Sequence, residues 1–368
     1  MKIFVPLLTA AALGFGLVCA TGAAHSQNLV VGVNLVNEPY DLSDAEQEAT
    51  LKAMKAAGVR VIRSAIPDNE KGLAYARRVY AHGMRIELTI YPVGRKAEGA
   101  APANGPQRWV GLSTFDAALS KARFESVFSK LDAAGIELAA VEMGNEINSA
   151  AFNADFPSSG EGRALGASDL KNDPEGQQVA KGYLQYLKML AILKDARDHS
   201  KLNRQIPIIS AGLVAAFEDS QIGGGKDLVT YKGTLDFLKA NGLNNLVDGY
   251  GVHIYPPAGN LGAPGIAKRE DILQRLFAEC GAGGKPCWVT EWGSRVGTTD
   301  DCPSPDKDRA TLVREMRGHF AQFAAQGRLK AIFFFTWQGF ANAPHEDRFS
   351  AFRCGELTES GRLAIAPM

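Results

Sequence analysis

Residues 59–92 read VRVIRSAIPDNEKGLAYARRVYAHGMRIELTIYP. An apolar run, Val59–Ala65, gives way to an amphipathic stretch, Glu70–His82, which Gly83 stops; a second apolar run, Met84–Pro92, follows. Near-continuous apolar runs are what parallel strands covered on both faces require, and a helical stretch of about a dozen residues suits the crossover between them. The segment is strand–helix–strand, and the same unit recurs in both directions. Upstream lie a strand at Leu29–Leu35 (LVVGVNL) and a helix from about Ser43 to Ala57, with Ser43 and Glu46 spaced as a capping box and Gly58 as its stop. Downstream, a polar loop runs to about Gly111, and helix Phe115–Ala134 leads to strand Ile136–Asn145 (IELAAVEMGN). Helix Gln177–His199, strand Ile206–Leu213, helix Tyr231–Ala240 and strand Val247–Pro256 (VDGYGVHIYP) continue the pattern. Helix Arg269–Cys280, strand Pro286–Gly293 (PCWVTEWG), helix Lys307–Gln326 and strand Leu329–Gln338 (LKAIFFFTWQ) complete it. Eight alternations, with no internal repeat and no Pro/Ser linker, predict an α/β protein built as a single (β/α)8 TIM barrel. A doubly wound open sheet would carry a Gly-rich phosphate turn after its first strand, which Gly32-Val33-Asn34 does not supply. The segment after Phe340 reads as a closing loop and tail.

The first 26 residues stand outside this barrel. Met1-Lys2, an apolar run from Ile3 to Val18 and small residues through Ala24 form the three parts of a secretory signal, with cleavage after Ala24 or Ser26. The run is short for a membrane span, and Pro6, Gly14 and Gly16 interrupt it. About 340 residues, 27–368, remain as one domain, secreted or periplasmic and expected to be a monomer. Forty basic residues balance forty acidic ones without a stripe of either sign, which argues against nucleic acid or an anionic membrane as partner. Four cysteines follow the leader, and three pairings are possible. Cys280–Cys287 across a short loop and Cys302–Cys354 are the favoured bridges in an oxidising compartment. Zinc would need a Cys-x-x-Cys pair with a histidine nearby, and neither occurs.

Catalytic residues of such barrels stand at the C-terminal ends of the strands. Polar and aromatic residues do gather there. Strand one ends in Asn34, with Asn37 and Glu38 behind it, and strand two carries Arg63. Strand three ends in Tyr91, strand four in Asn145-Glu146, and strand six in His253 and Tyr255. Strand seven ends in Glu291-Trp292 and strand eight in Trp337-Gln338. Strands four and seven face one another across an eight-stranded barrel, so Glu146 and Glu291 meet over one cavity. Two such carboxylates are what glycoside hydrolysis needs, one to protonate the leaving oxygen and one to attack the anomeric carbon. A separation of ~5–5.5 Å implies retention of configuration, and roughly 6.5–9.5 Å implies inversion.

Gly144-Asn145-Glu146 and Thr290-Glu291-Trp292-Gly293, in that order, resemble clan A of the glycoside hydrolases. Arg63, His253-Ile254-Tyr255 and Trp337 extend the likeness to family 5, the cellulase-like family. That family commonly has a histidine after strand three, where this chain has Tyr91-Pro92, so families 17 and 39 of the same clan stay open. The resemblance implies a retaining enzyme acting on β-linked oligosaccharide or polysaccharide, with Glu146 as acid/base, Glu291 as nucleophile and no cofactor or metal. It implies that Arg63 and Tyr255 hold Glu291 ionised and that Asn145 bonds the sugar 2-hydroxyl. His253 is then expected to tune an acid/base whose pKa is raised by burial and by the nearby nucleophile. Trp337 is expected as the apolar floor of the site, and Trp292, Tyr91 and Trp109 as stacking surfaces.

Other readings are weaker. Singly, Glu146 fits a rim salt bridge, Arg63 a partner of buried carbonyls, and His253 a hydrogen-bonded core residue. Trp109 serves packing as readily as sugar contact, and Trp288 falls mid-strand as barrel packing. His345-Glu346-Asp347 lacks a second histidine at metal-ligand spacing, and Asp300-Asp301 reads as a solvated loop. With no His-x-His after strand one, a metal-dependent amidohydrolase barrel is disfavoured. Two alternatives remain: a transglycosylase using the same carboxylates, and a glycan-binding barrel without catalysis. The loops Val93–Gly111 and Ile147–Gly176 would wall the cleft, and nothing in them names the sugar.

Overall fold

The computed structural model describes Met1 and residues 29–35, 39–96, 110–156, 162–220, 227–281, 284–295, 306–339 and 344–368. The leader, Asn37, Glu38, Trp109, Asp300, Asp301 and Cys302 lie outside the described residues. Eight parallel strands close into a barrel: β1 (Val30–Asn34), β2 (Val61–Ala65), β3 (Arg85–Ile90), β4 (Ala140–Asn145), β5 (Ile208–Val214), β6 (Tyr250–Ile254), β7 (Cys287–Trp292) and β8 (Leu329–Phe334). Closure is made by β1 against β8, with Val31 opposite Ile332 and Gly32 opposite Phe333. All residues of β4 and β7 are buried, as strands covered on both faces must be.

Successive side chains of a strand point to opposite faces, so Val61 and Arg63, Ala140 and Glu142, and Trp288 and Thr290 each share one. Inside the barrel, Ala140, Ile209, Trp288, Ala331 and Phe333 fill the lower layer. A charged layer stands above it. Outside, the helices of seven residues or more are α1 (Asp44–Ala56), α2 (Glu70–Ala81), α3 (Ala117–Ala133), α4 (Pro174–Asp198), α5 (Tyr231–Ala240), α6 (Ala263–Phe277), α7 (Lys307–Ala325) and α8 (Glu359–Ile365). The capping box of α1 is formed, Ser43 accepting from the Glu46 amide and the Glu46 carboxylate from the Ser43 amide. Helix α4 begins three residues earlier than the sequence pattern marks, because Asp173 caps it and Pro174 occupies its first turn. Helix α6 likewise starts at Ala263, where Pro264 initiates it.

One expectation is corrected. The segment after residue 340 is more than a loop and tail, for it holds a short hairpin (Phe352–Arg353 with Glu356–Leu357) and α8, the eighth helix of the barrel. Helix α8 packs on α7 and β1, and Thr358 caps it. Cys280 and Cys287 are bonded across the α6–β7 loop. Cys354 is disulfide-bonded too, while Cys302, its expected partner, is outside the described residues. Among the described residues no helix is long and apolar enough to cross a membrane.

Candidate active site

The charged layer is centred on Arg63 of β2, whose side chain is 2% exposed. Its guanidinium is shared among four acceptors. Nε donates to Glu142 of β4 (2.6 Å), Nη1 to Asn34 (3.0 Å) and Glu291 (2.7 Å), and Nη2 to Asn145 (3.0 Å). Glu87 of β3 lies 3.5 Å from Nε. Burial by itself would lower the Arg63 pKa, yet the charges of Glu142, Glu291 and Glu87 hold it well above the ordinary value. Arg63 is therefore a fixed cation.

Three carboxylates against one guanidinium is too much buried negative charge. Glu87 resolves it. Burial first, then the Glu142 charge, push its carboxyl well above the ordinary range, and neither of its oxygens has a hydrogen-bond partner. Glu142 instead accepts from both Arg63 and Thr290, the latter at 2.8 Å. Neither glutamate stands at a strand end, where the sequence pattern places the site. The available signal was a charged residue at the middle of an apolar strand, in MRIELTIYP and IELAAVEMGN.

Glu291 reaches this layer through an irregularity. Thr290 points inward, and strict alternation would send Glu291 outward and Trp292 in. The register of β7 against β8 shifts between Val289 and Trp292, so Glu291 turns to the barrel mouth while Trp292 goes outward against Phe320 of α7. Glu291 accepts from Arg63 through Oε1 and from the Tyr255 hydroxyl through Oε2 (2.6 Å). Burial would raise its pKa, but His253, Arg63 and the Tyr255 hydrogen bond outweigh burial and set it below the ordinary carboxylate value. Burial and the Glu291 charge push the Tyr255 phenol well up, so it stays a donor, although the residue as a whole is 41% exposed.

Glu146 follows β4 in an unusual backbone conformation. Gly144 has φ +90° and Glu146 itself φ +44°, a region that a glutamate rarely occupies. The Glu146 amide donates to the Gly212 carbonyl at the end of β5 (2.7 Å), and Asn148 ties the next turn to Val214 and Val229. The carboxylate lies 3.0 Å from His253 Nδ1. His253 is buried, and its ring fits only because residue 212 is glycine: a Cβ there would meet Nε2 at 2.1 Å. One oxygen of Glu146, one of Glu291 and a ring nitrogen of His253 all lie within 4.8 Å of one another. Among the described residues this is the one trio spaced to share a metal ion.

The structure thus brings together Arg63, Asn145, Glu146, His253, Tyr255 and Glu291. Asn34 is fully buried behind them, its amide donating to the carbonyls of Thr290, Phe333 and Phe334. Tyr91 is partly exposed at the end of β3, close enough for its phenol to act on the charge of Arg63. Two aromatic expectations are corrected. Trp337 is 0% exposed, its ring stacked at 5.3 Å on Phe352 of the C-terminal hairpin. Trp292 is 1% exposed, edge-on to Phe320 and Phe334. Neither forms a surface of the cleft. The partly exposed rings beside Tyr255 are Phe335 (6.0 Å) and Phe349 (5.6 Å).

No protein-family model matches the chain, and no curated protein does either. Solved structures do match. An exo-β-1,4-mannosidase from Opitutaceae bacterium strain TAV5 is 13% identical with a TM-score of 0.55, over 93% of this chain and 61% of that one. This chain thus spans about three-fifths of the mannosidase. A GH5_18 protein from Bifidobacterium longum subsp. longum ATCC 55813, in complex with Manβ1-4GlcNAc, is 13% identical (TM-score 0.55; 91% of this chain, 77% of that one). A GH39 β-xylosidase from Caulobacter crescentus is 14% identical (TM-score 0.55; 91% and 70%). At such identities the likeness establishes a shared (β/α)8 barrel, and it covers both the family 5 and the family 39 forms that the motifs left open.

Proposed function

We propose that this chain is an exported retaining glycoside hydrolase acting on β-linked sugars, with Glu146 as acid/base and Glu291 as nucleophile. The observation that carries the reading is the carboxylate pair itself, with one oxygen of each within 4.8 Å of the other and unlike surroundings on the two sides. That bound on the nearest oxygens agrees with the ~5–5.5 Å carboxyl separation of double displacement and lies below the roughly 6.5–9.5 Å of inverting pairs. Glu291, held low by His253, Arg63 and Tyr255 against its burial, suits a nucleophile that must be ionised. Glu146, beside His253 and clear of Arg63, protonates the leaving oxygen and then, as a base, takes a proton from water. The Asn145 oxygen is committed to Arg63, leaving its amide N–H to donate to the sugar 2-hydroxyl. Phe335 and Phe349, in place of Trp337 and Trp292, offer apolar faces to the ring at the cleavage point.

A metal centre on the same trio is the poorer reading, because the Arg63 guanidinium already sits 2.7 Å from Glu291 and would repel a cation there. The Cys280–Cys287 bridge supports export to an oxidising compartment. Glycosidase names among the matched structures agree with the reaction class.

The test uses a panel of 4-nitrophenyl β-glycosides and β-linked polysaccharides. Glu291→Gln is expected to lower turnover at least ~10³-fold, as loss of a nucleophile does in other enzymes; near-wild-type turnover would overturn the assignment. Glu146→Gln should be far more damaging on polysaccharide than on nitrophenyl substrates, whose leaving group needs no proton. Equal losses on both would remove Glu146 from the acid role.

A further inference from the structure

We infer that Glu142 is a positioning residue for this reaction, a permanent anionic partner that lets the charge of Glu291 come and go beside Arg63. The inference rests on the assignment of Glu291 as nucleophile. In double displacement the Glu291 carboxylate becomes an ester, neutral for the lifetime of the intermediate, and is then released as an anion. Were Glu291 the sole partner of Arg63, each turnover would strand a buried guanidinium, and breaking a buried pair in that way is strongly unfavourable. The free carboxylate would also be held too tightly to attack.

Glu142 removes both problems. Its side chain is 0% exposed, it takes the Nε–H of Arg63 at 2.6 Å, and Thr290, the residue before the nucleophile, clamps its other oxygen at 2.8 Å. Arg63 therefore keeps one carboxylate through the whole cycle, on an edge of the guanidinium separate from the Nη1 that serves Glu291. Glu87 does not fill this place, since it is 3.5 Å from Nε and accepts no hydrogen bond. The ionisable groups around Glu291 are Arg63 from β2, Glu87 from β3, Glu142 and Glu146 from β4 and its end, and His253 and Tyr255 from β6 and its end.

The experiment is a carboxyl ¹³C NMR titration of the mature chain labelled at glutamate Cδ, with the Glu291 signal assigned by its loss in Glu291→Gln. In Glu142→Gln the Glu291 midpoint is expected to fall by about one pH unit, because an anion is removed and Arg63 acts on Glu291 undivided. The acidic limb of kcat/KM should move the same way, with kcat/KM ~10–100-fold lower at its optimum. A packing role alone moves neither midpoint nor limb, and an unmoved midpoint overturns the inference. Should Glu142→Gln not fold, Thr290→Val keeps the charge and loosens its clamp. It should then lower kcat/KM about 10-fold with the midpoint held, and undiminished kcat/KM would overturn the inference. An active Glu291→Gln would instead strike the nucleophile assignment.

Discussion

Arg63 is the residue on which the others depend, since its single guanidinium orients Glu142, Asn34, Asn145 and Glu291. A lysine carries the charge but cannot present a planar fork to four acceptors. Arg63→Lys is therefore expected to cost ~100-fold or more in kcat/KM, measured on whichever aryl glycoside the wild type cleaves. A loss under threefold would mean that charge suffices. Glu87 makes a separate prediction, about stability. Unfolded, it gives up its proton near pH ~4.3; folded, it keeps the proton to higher pH. Its contribution to stability is thus fully present below about pH 4.3 and is lost as pH rises toward the folded pKa. Glu87→Gln removes this titration, so the variant should gain on the wild type as pH rises from about 4 to 7, by at most about 1.4 kcal/mol per pH unit. Thermal melts across that range measure the gap, and a gap independent of pH would show that Glu87 is ionised in the fold.

At the scale of elements, strands and helices were legible because their signals are local: apolar runs, the Ser43–Glu46 box, and stopping glycines. Assigning Arg63, Glu146, His253, Tyr255 and Glu291 to one site needed the order of the strands together with the glycoside hydrolase motifs at their ends. What could not be read was the direction of individual side chains where alternation breaks. The register shift in β7 exchanges the faces of Glu291 and Trp292, and no residue in TEWG announces it. Glu87 and Glu142 are not legible as site residues because they lie in the interior layer beneath the strand ends. The turn after β4 shows how tightly such local geometry is tied to the site. Gly144 has φ +90°, and a Cβ there would stand 3.3 Å from Ile147 and 3.4 Å from Ala211. Gly144→Ala should lower stability by about 1–2 kcal/mol from backbone conformation alone. By tilting Glu146, two residues on, it should also depress kcat more than KM. Urea unfolding with steady-state kinetics tests this, and a variant with wild-type kcat would show that the backbone of Glu146 is set elsewhere. Ser43→Ala, at the distant α1 cap, should cost ~1 kcal/mol with kcat unchanged.

At the scale of the whole molecule, the barrel is a ring, and it closes where the first and last strands meet. β1 pairs with β8, and the last helix must cover that closure. The seven residues of α8 were invisible as a helix in the sequence because they are too few to show a period, and the cap Thr358 is a single hydroxyl. Their tertiary ties are nonetheless dense. Asp306 accepts from the Ser360 amide and hydroxyl, Arg309 donates to Thr358 and Ser350, and Arg317 donates to Ala364 and Pro367. Ala364 and Ile365 are buried against the rest. Ending the chain after Leu357 would expose the face of α7 beneath and leave Arg309, already 4% exposed, short of a partner. Burial of one large aliphatic side chain contributes ~1.5–3 kcal/mol and each hydrogen bond about 1 kcal/mol. The truncation should therefore remove ~5 kcal/mol or more, comparable with the whole net stability of many domains. The truncated chain is expected to lose its cooperative urea transition or show it at a much lower midpoint, with turnover falling in proportion to the folded fraction. If the midpoint instead stays at the wild-type value, the closure is held by the β1–β8 pairing alone, and α8 is an ornament of the barrel rather than its eighth helix.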